Sequence, residues 1–162
     1  MVPNEETQAM DARLQEQVKA MQATQGRFVI AFAAVAFVLH WGWETAHGRA
    51  YVETNLPLVQ RFWHCFPMAV VDTAWSGAVV LLAAAVARAL RCPSSIWPAA
   101  AAAGALTAVA VERFALETSR WTYTDAMPIV AFAGVGVWPI AQMTVLPPLT
   151  LYLTTRLVRM RW

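Results

Sequence analysis

The three histidines of the chain and four of its carboxylates lie where long apolar stretches end, and their spacing suits proton transfer. His40, Glu44 and His47 recur at i, i+4 and i+7, which places them on one face of a helix. A histidine one turn from a glutamate can share a proton with it or hold a metal. His64, Met68 and Asp72 follow at i, i+4 and i+8, with Trp75 deeper in the same segment. Asp72 sits about one turn inside an apolar run, where an acid marks a functional site or pairs with a cation. Arg113 and Arg120 are the candidate partners for such a pair. His40, Glu44, Asp72 and Glu112 are therefore the candidate catalytic acid–base groups.

The stretch 112–128, ERFALETSRWTYTDAMP, concentrates further chemistry between two apolar segments. Glu117 and Arg120 share a face at i, i+3, and Arg113 lies one turn before Glu117. A carboxylate held between two arginines suits orientation or anion binding rather than proton donation. Glu44 and Glu112 have no such obvious partner and are left to deliver a proton. Trp43, Trp75, Trp121, Tyr123 and Gln142, with Glu117 and Arg120, are the candidate substrate-binding residues. The ring faces of Trp43, Trp75, Trp121 and Trp138 can stabilise a cation. The same tryptophans also fit an interfacial aromatic belt.

A metal reading draws on the same residues. Glu44-Thr45-Ala46-His47 matches the Glu-x-x-His of carboxylate-bridged di-iron bundles, but those need a second copy and the sequence has none. A single metal or a haem would use His40, His47 or His64, and copper would add the soft sulfurs of Met68 and Met143. The acid–base reading itself requires no cofactor.

The elements that must position these groups are membrane helices. Of 162 residues, 59% are hydrophobic and 14% charged, and the mean hydropathy is +0.46. Soluble domains carry about 25% charged residues. The net charge of +2 is spread along the chain, so a nucleic-acid partner is not expected. Four segments, 28–46, 67–90, 96–115 and 129–153, are long and apolar enough to cross about 30 Å of hydrocarbon. Pro139, Pro147 and Pro148 fall inside the fourth and are expected to kink it. The predicted fold is all-α: an integral membrane four-helix bundle spanning residues 27–162. Before it, residues 1–26 form an amphipathic cytoplasmic helix with Met10, Leu14, Val18 and Met21 along one stripe. Asn4, followed by two acids, is its start signal. This helix is expected to lie on the membrane surface or dock a partner; it is not a secretory signal.

Basic residues set the orientation. Arg13, Lys19, Arg27, Arg88, Arg91, Arg156, Arg159 and Arg161 fall on one side of four spans, and Arg49, Arg61, Arg113 and Arg120 on the other. Both termini are thus expected in the cytoplasm, in a bacterium at the inner membrane. The polar residues then gather in the outer half, over a dry base rich in alanine. Cys65 and Cys92 fall at opposite ends of the second span, too far apart for a disulfide.

The string Glu117-x-x-Arg120-Trp121-x-Tyr123-x-x-x-Met127-Pro128, then Gly134-x-Gly136-x-x-Pro139-x-x-Gln142 and Pro147, resembles a set of small, uncharacterised four-span bacterial membrane proteins. Trp43-Glu44 and the His64–Asp72 stretch fit that pattern, which covers most of residues 40–150 and implies no function. A fainter likeness is to membrane proteins of the emopamil-binding, sterol-isomerase type, through His40-x-x-x-Glu44 and Ser119-Arg120-Trp121. It implies that His40 and Glu44 form a first-helix acid–base pair acting on a sterol-like substrate. The chain departs from that type in length and spacing, and it lacks the Trp-Lys-Glu-Tyr stretch. Three functional expectations follow. One is a membrane-embedded isomerase, hydratase or cyclase acting on an isoprenoid- or lipid-like molecule. Another is a non-catalytic small subunit or assembly factor of a larger complex, or a homo-oligomer. Haem or copper binding is a third.

Overall fold

The computed structural model of the chain describes residues 5–158. Asn4, Arg159 and Arg161 lie outside them, as do the side chains of residues 5–9, 11 and 12. Five helices follow one another: α1 (Glu5–His47), α2 (Leu58–His64), α3 (Phe66–Ala89), α4 (Ile96–Glu117) and α5 (Val137–Val158). Between α4 and α5 lies a two-stranded antiparallel hairpin, β1 (Ile129–Val130) and β2 (Val135–Gly136), with Ile129 opposite Gly136. The fold is all-α, with α1, α3, α4 and α5 packed as a bundle.

Three of these helices, α1, α3 and α4, are long and apolar enough to cross a membrane. Their outward faces carry Ile30 (73% exposed), Leu81 (74%) and Leu106 (73%). Apolar exposure of this kind on three separate helices is what a lipid-facing surface looks like and what water disfavours. α5 is the most enclosed helix and mixes Gln142, Thr150 and Thr154 with Leu146 and Leu151 in its buried positions.

Three element boundaries differ from the sequence expectation. The amphipathic stretch before residue 27 forms, but as the first half of α1, with no break at Gly26-Arg27. At 1.5 Å per residue the 43-residue helix is roughly 65 Å long. Met10, Leu14, Val18 and Met21 are exposed along it. The fourth segment starts at Val137 rather than 129, because Gly134 adopts a φ of 68° and turns the hairpin first. The helix α2 was not anticipated. It inverts the usual amphipathic order: Leu58, Val59 and Trp63 point outward while Arg61 is 4% exposed. The stem of Arg61 lies under Gly48, where a Cβ would come within 2.6 Å of its Cδ. Its Nε and Nη1 have no hydrogen-bond partner.

Both α3 and α4 end in the same way. Arg91 (φ 50°) and Ser119 (φ 53°) take the left-handed conformation, and the next amide bonds five residues back, Cys92 to Ala87 and Arg120 to Ala115. This is the Schellman closure, here built without glycine. The prolines of α5 fall in two classes. Pro139 lies in the first turn, where no helical donor is lost. Pro147 and Pro148 deny the carbonyls of Met143 and Thr144 their intrahelical donors.

The base of the bundle is the predicted dry core: Phe32, Ala36, Val79, Val80, Ala83, Ala87, Ala100, Ala108 and Leu151 pack there. Small side chains let the helices approach closely.

Candidate functional site

At the end of the bundle opposite the α3–α4 turn, the helices enclose a cavity of about 480 Å³. Four carboxyl groups line it: Glu44 of α1, Asp72 of α3 and Glu112 of α4, with Glu53 from the loop that follows α1. Gln142 of α5, Trp75, Trp121, Tyr51 and Arg120 share the wall, and Val71, Ala108, Val111, Pro139 and Met143 supply apolar surface.

The deepest polar group is His40, fully buried. The Gln142 amide nitrogen lies 2.9 Å from His40 Nδ1 and 3.0 Å from Asp72 Oδ2. Its two protons serve both acceptors, so His40 Nδ1 is the lone-pair nitrogen and Nε2–H donates to Ser76 Oγ at 2.7 Å. His40 Nδ1 lies 3.8 Å from Asp72. Glu44 in turn lies in hydrogen-bonding contact with Asp72 and Gln142. Two touching carboxyls need one shared proton to hydrogen-bond to each other.

Glu112 sits in a different setting. It is 4% exposed and accepts three hydrogen bonds: from Tyr51 Oη at 3.1 Å, from Trp121 Nε1 at 3.3 Å and from Tyr123 Oη. Tyr123 Oη also accepts from the Gly136 amide at 2.9 Å. Burial, reinforced by the Glu112 carboxylate, pushes both tyrosine hydroxyls above their ordinary range. They therefore stay protonated and act as donors.

These tyrosines come from separate loops that are zipped together. Tyr51 and Tyr123 form a β-bridge. Val52 N donates to Thr122 O, Thr124 N to Ala50 O, Thr122 N to Glu53 and Thr124 Oγ1 to Arg49 O. The result is a roof over the cavity, built from residues 48–57 and 118–127.

The structure sorts the sequence candidates. It brings Glu44, Asp72, Glu112, Trp75, Trp121, Arg120 and Gln142 to one cavity, with His40 behind Gln142 and Tyr123 behind Glu112. Trp43 faces away into a smaller pocket with His47 and Trp138. Glu117 and Arg113 are exposed. The expected pairing of Asp72 with Arg113 or Arg120 is not found. Among the described residues the only ion pairs join histidines to carboxylates, and Arg120 lies over the Phe114 ring, 5.3 Å from its centroid. Arg113 follows Glu112 by one residue, about 100° around the helix, so burying the acid turns the arginine outward. His40, His47 and His64 are engaged separately. His64 is exposed on α2, and His47 Nδ1–H donates to Trp43 O at 2.7 Å. No cluster of three metal-ligating side chains occurs among the described residues. Sequence reasoning missed Tyr51 and Ser76. Ser76 carried a signal, one turn below Asp72 on the same face, whereas Tyr51 reaches Glu112 across 61 positions of sequence.

Comparison of the chain with protein families, with curated proteins and with solved structures gives no match.

Proposed function

We propose that the protein is a four-span bacterial inner-membrane enzyme, termini cytoplasmic, that moves a proton on an isoprenoid- or lipid-like substrate. The observation that supports this reading is the division of labour among the three helix-borne carboxyls of one largely apolar cavity. Glu44 and Asp72 touch and share a proton, so they form a donor and acceptor in one unit. Glu112 accepts from three donors, which fixes its carboxyl group where it can face positive charge.

In the proposed step the Glu44–Asp72 pair gives its proton to one carbon of a substrate double bond. The electron pair of that bond forms the new C–H bond and leaves a cation on the neighbouring carbon. Glu112 and the faces of Trp75 and Trp121 stabilise it. Loss of a different proton to the emptied carboxylate shifts the double bond and restores the enzyme. Gln142 and His40 hold Asp72 in place.

The test is turnover in heavy water. Membranes carrying the protein are incubated with extracted lipids, and deuterium in carbon-bound positions is read by mass spectrometry. Incorporation by the wild type that Glu44→Gln abolishes supports the proposal; no incorporation by the wild type rejects it. The subunit reading draws on the exposed Met10, Leu14, Val18 and Met21 stripe. Migration as a free monomer or homo-oligomer in mild detergent counts against it.

A further inference from the structure

We propose that His47 is the proton entrance to the Glu44–Asp72 pair, connecting it to a second pocket on the other side of Glu44. This rests on reading that pair as the proton-handling unit.

The second pocket, of about 270 Å³, lies at the loop end of the bundle between Trp43, His47, Arg49, Ala126 and Trp138. Arg49 and Ala126 are exposed, so this pocket meets solvent. Glu44 lines the main cavity and His47 lines the second pocket, and they are one helical turn apart on α1. His47 Nε2 faces Glu44 Oε2 at 3.9 Å. The ring is already oriented for this: Nδ1–H is spent on the Trp43 carbonyl, which leaves the Nε2 lone pair toward Glu44. Closing the gap to hydrogen-bond distance takes a shift of about 1 Å.

The chain of polar groups has a definite inner end. Gln142 spends both amide protons as a donor to His40 and Asp72, and an amide does not carry a proton onward. A proton entering at His47 therefore meets the Glu44–Asp72 pair first, and the hydrogen-bonded path beyond it runs through the Gln142 amide. The direct route from solvent to that pair is the main cavity itself, and an apolar ligand filling the cavity closes it. The second pocket remains open in that state. The transfer is balanced: His47 Nε2 takes a proton from hydronium, releasing water, and gives it to the Glu44 carboxylate, returning to neutral imidazole. His47 is thus a positioning and relay residue that does not touch substrate.

The test needs no substrate, so its failure is separate from failure of the catalytic reading, which the deuterium experiment decides. Val111, a partly exposed residue of the cavity wall, is changed to Trp to fill the cavity, and the protein is placed in lipid discs. Infrared spectroscopy follows exchange of the carboxylic C=O band in heavy water, the band being assigned by its loss in Glu44→Gln. His47→Ala and His47→Asn should slow exchange about a hundredfold, the low end of what a positioned acid–base group contributes. Added imidazole should restore the rate in His47→Ala, where it has room, and not in His47→Asn. Exchange at the parent rate in both variants overturns the proposal. So does a slowed rate in His47→Ala that imidazole leaves unchanged, because a merely structural role would not respond to a diffusible base.

Discussion

Gly104 of α4 lies directly against the carbonyl of Met143 on α5, the same carbonyl that Pro147 leaves without an intrahelical donor. The two helices approach there because one has no side chain and the other has a carbonyl free to turn outward, a geometry suited to Cα–H···O contact. A Cβ at Gly104 would overlap that oxygen. Gly104→Ala should therefore destabilise the bundle by about 3 kcal/mol, the upper end for overpacking. Thermal unfolding in detergent checks this. Gly77→Ala is the control, because a Cβ there meets nothing within 4 Å, and it should hold the transition or raise it slightly.

The left-handed residues that close α3 and α4 are Arg91 and Ser119. An L side chain in that conformation costs roughly 1–2 kcal/mol per residue. Arg91→Gly and Ser119→Gly should each raise stability by about 1 kcal/mol, offset in part by the freer unfolded chain. Lowered melting temperatures in both variants would contradict this account of the two helix ends.

Arg61 is a buried cation whose Nε and Nη1 lack partners. Replacing a buried charge by an apolar side chain of similar volume is often neutral or stabilising by about 1–4 kcal/mol. Arg61→Met should accordingly hold or raise the unfolding midpoint, and a fall of several degrees would show that the guanidinium finds an anion in the membrane-bound protein.

The Glu112 carboxylate depends on its donors. Tyr51→Phe and Tyr123→Phe each remove a hydrogen bond to a charged group, a loss of about 1.5–3 kcal/mol. Tyr123→Phe should cost more, since it also strips the Gly136 amide of its acceptor. Chemical denaturation of the two variants side by side gives the comparison.

The cysteines report orientation. Cys92 is exposed in the α3–α4 turn, and the Ser94 hydroxyl lowers its thiol below the ordinary range. Cys65 is buried, and burial pushes its thiol up to about 11. A maleimide should modify Cys92 readily at neutral pH and spare Cys65, because the thiolate is the nucleophile. If the turn is cytoplasmic, a membrane-impermeant maleimide should label Cys92 in opened membranes and not in intact spheroplasts. Labelling in intact spheroplasts would invert the topology.

The helical content was legible because apolar runs of this length leave few alternatives, and the ends of α3 and α4 fall within about two residues of where composition changes. Helical spacing also put Met68 and Asp72 on one face, and Glu44 beside His40. What spacing did not reveal was phase between helices. Trp43 and Glu44 are neighbours in sequence, yet about 100° of rotation sends them into different pockets. The same rotation turns Arg113 outward where Glu112 turns in, so the ion pair that charge complementarity suggested between Arg113 and Asp72 does not form. The roof was beyond local reasoning altogether, since the Tyr51–Tyr123 pairing joins two loops whose only shared signal is aromatic composition.

That pairing decides how a molecule gets in. Four hydrogen bonds tie residues 49–53 to Thr122 and Thr124, and a visitor from the aqueous side has to part them while pulling Tyr51 away from Glu112. One that slides in sideways from the bilayer leaves the clasp fastened. For the lipid-like substrate proposed above, entry between the helices would leave both the clasp and the Tyr51–Glu112 hydrogen bond untouched.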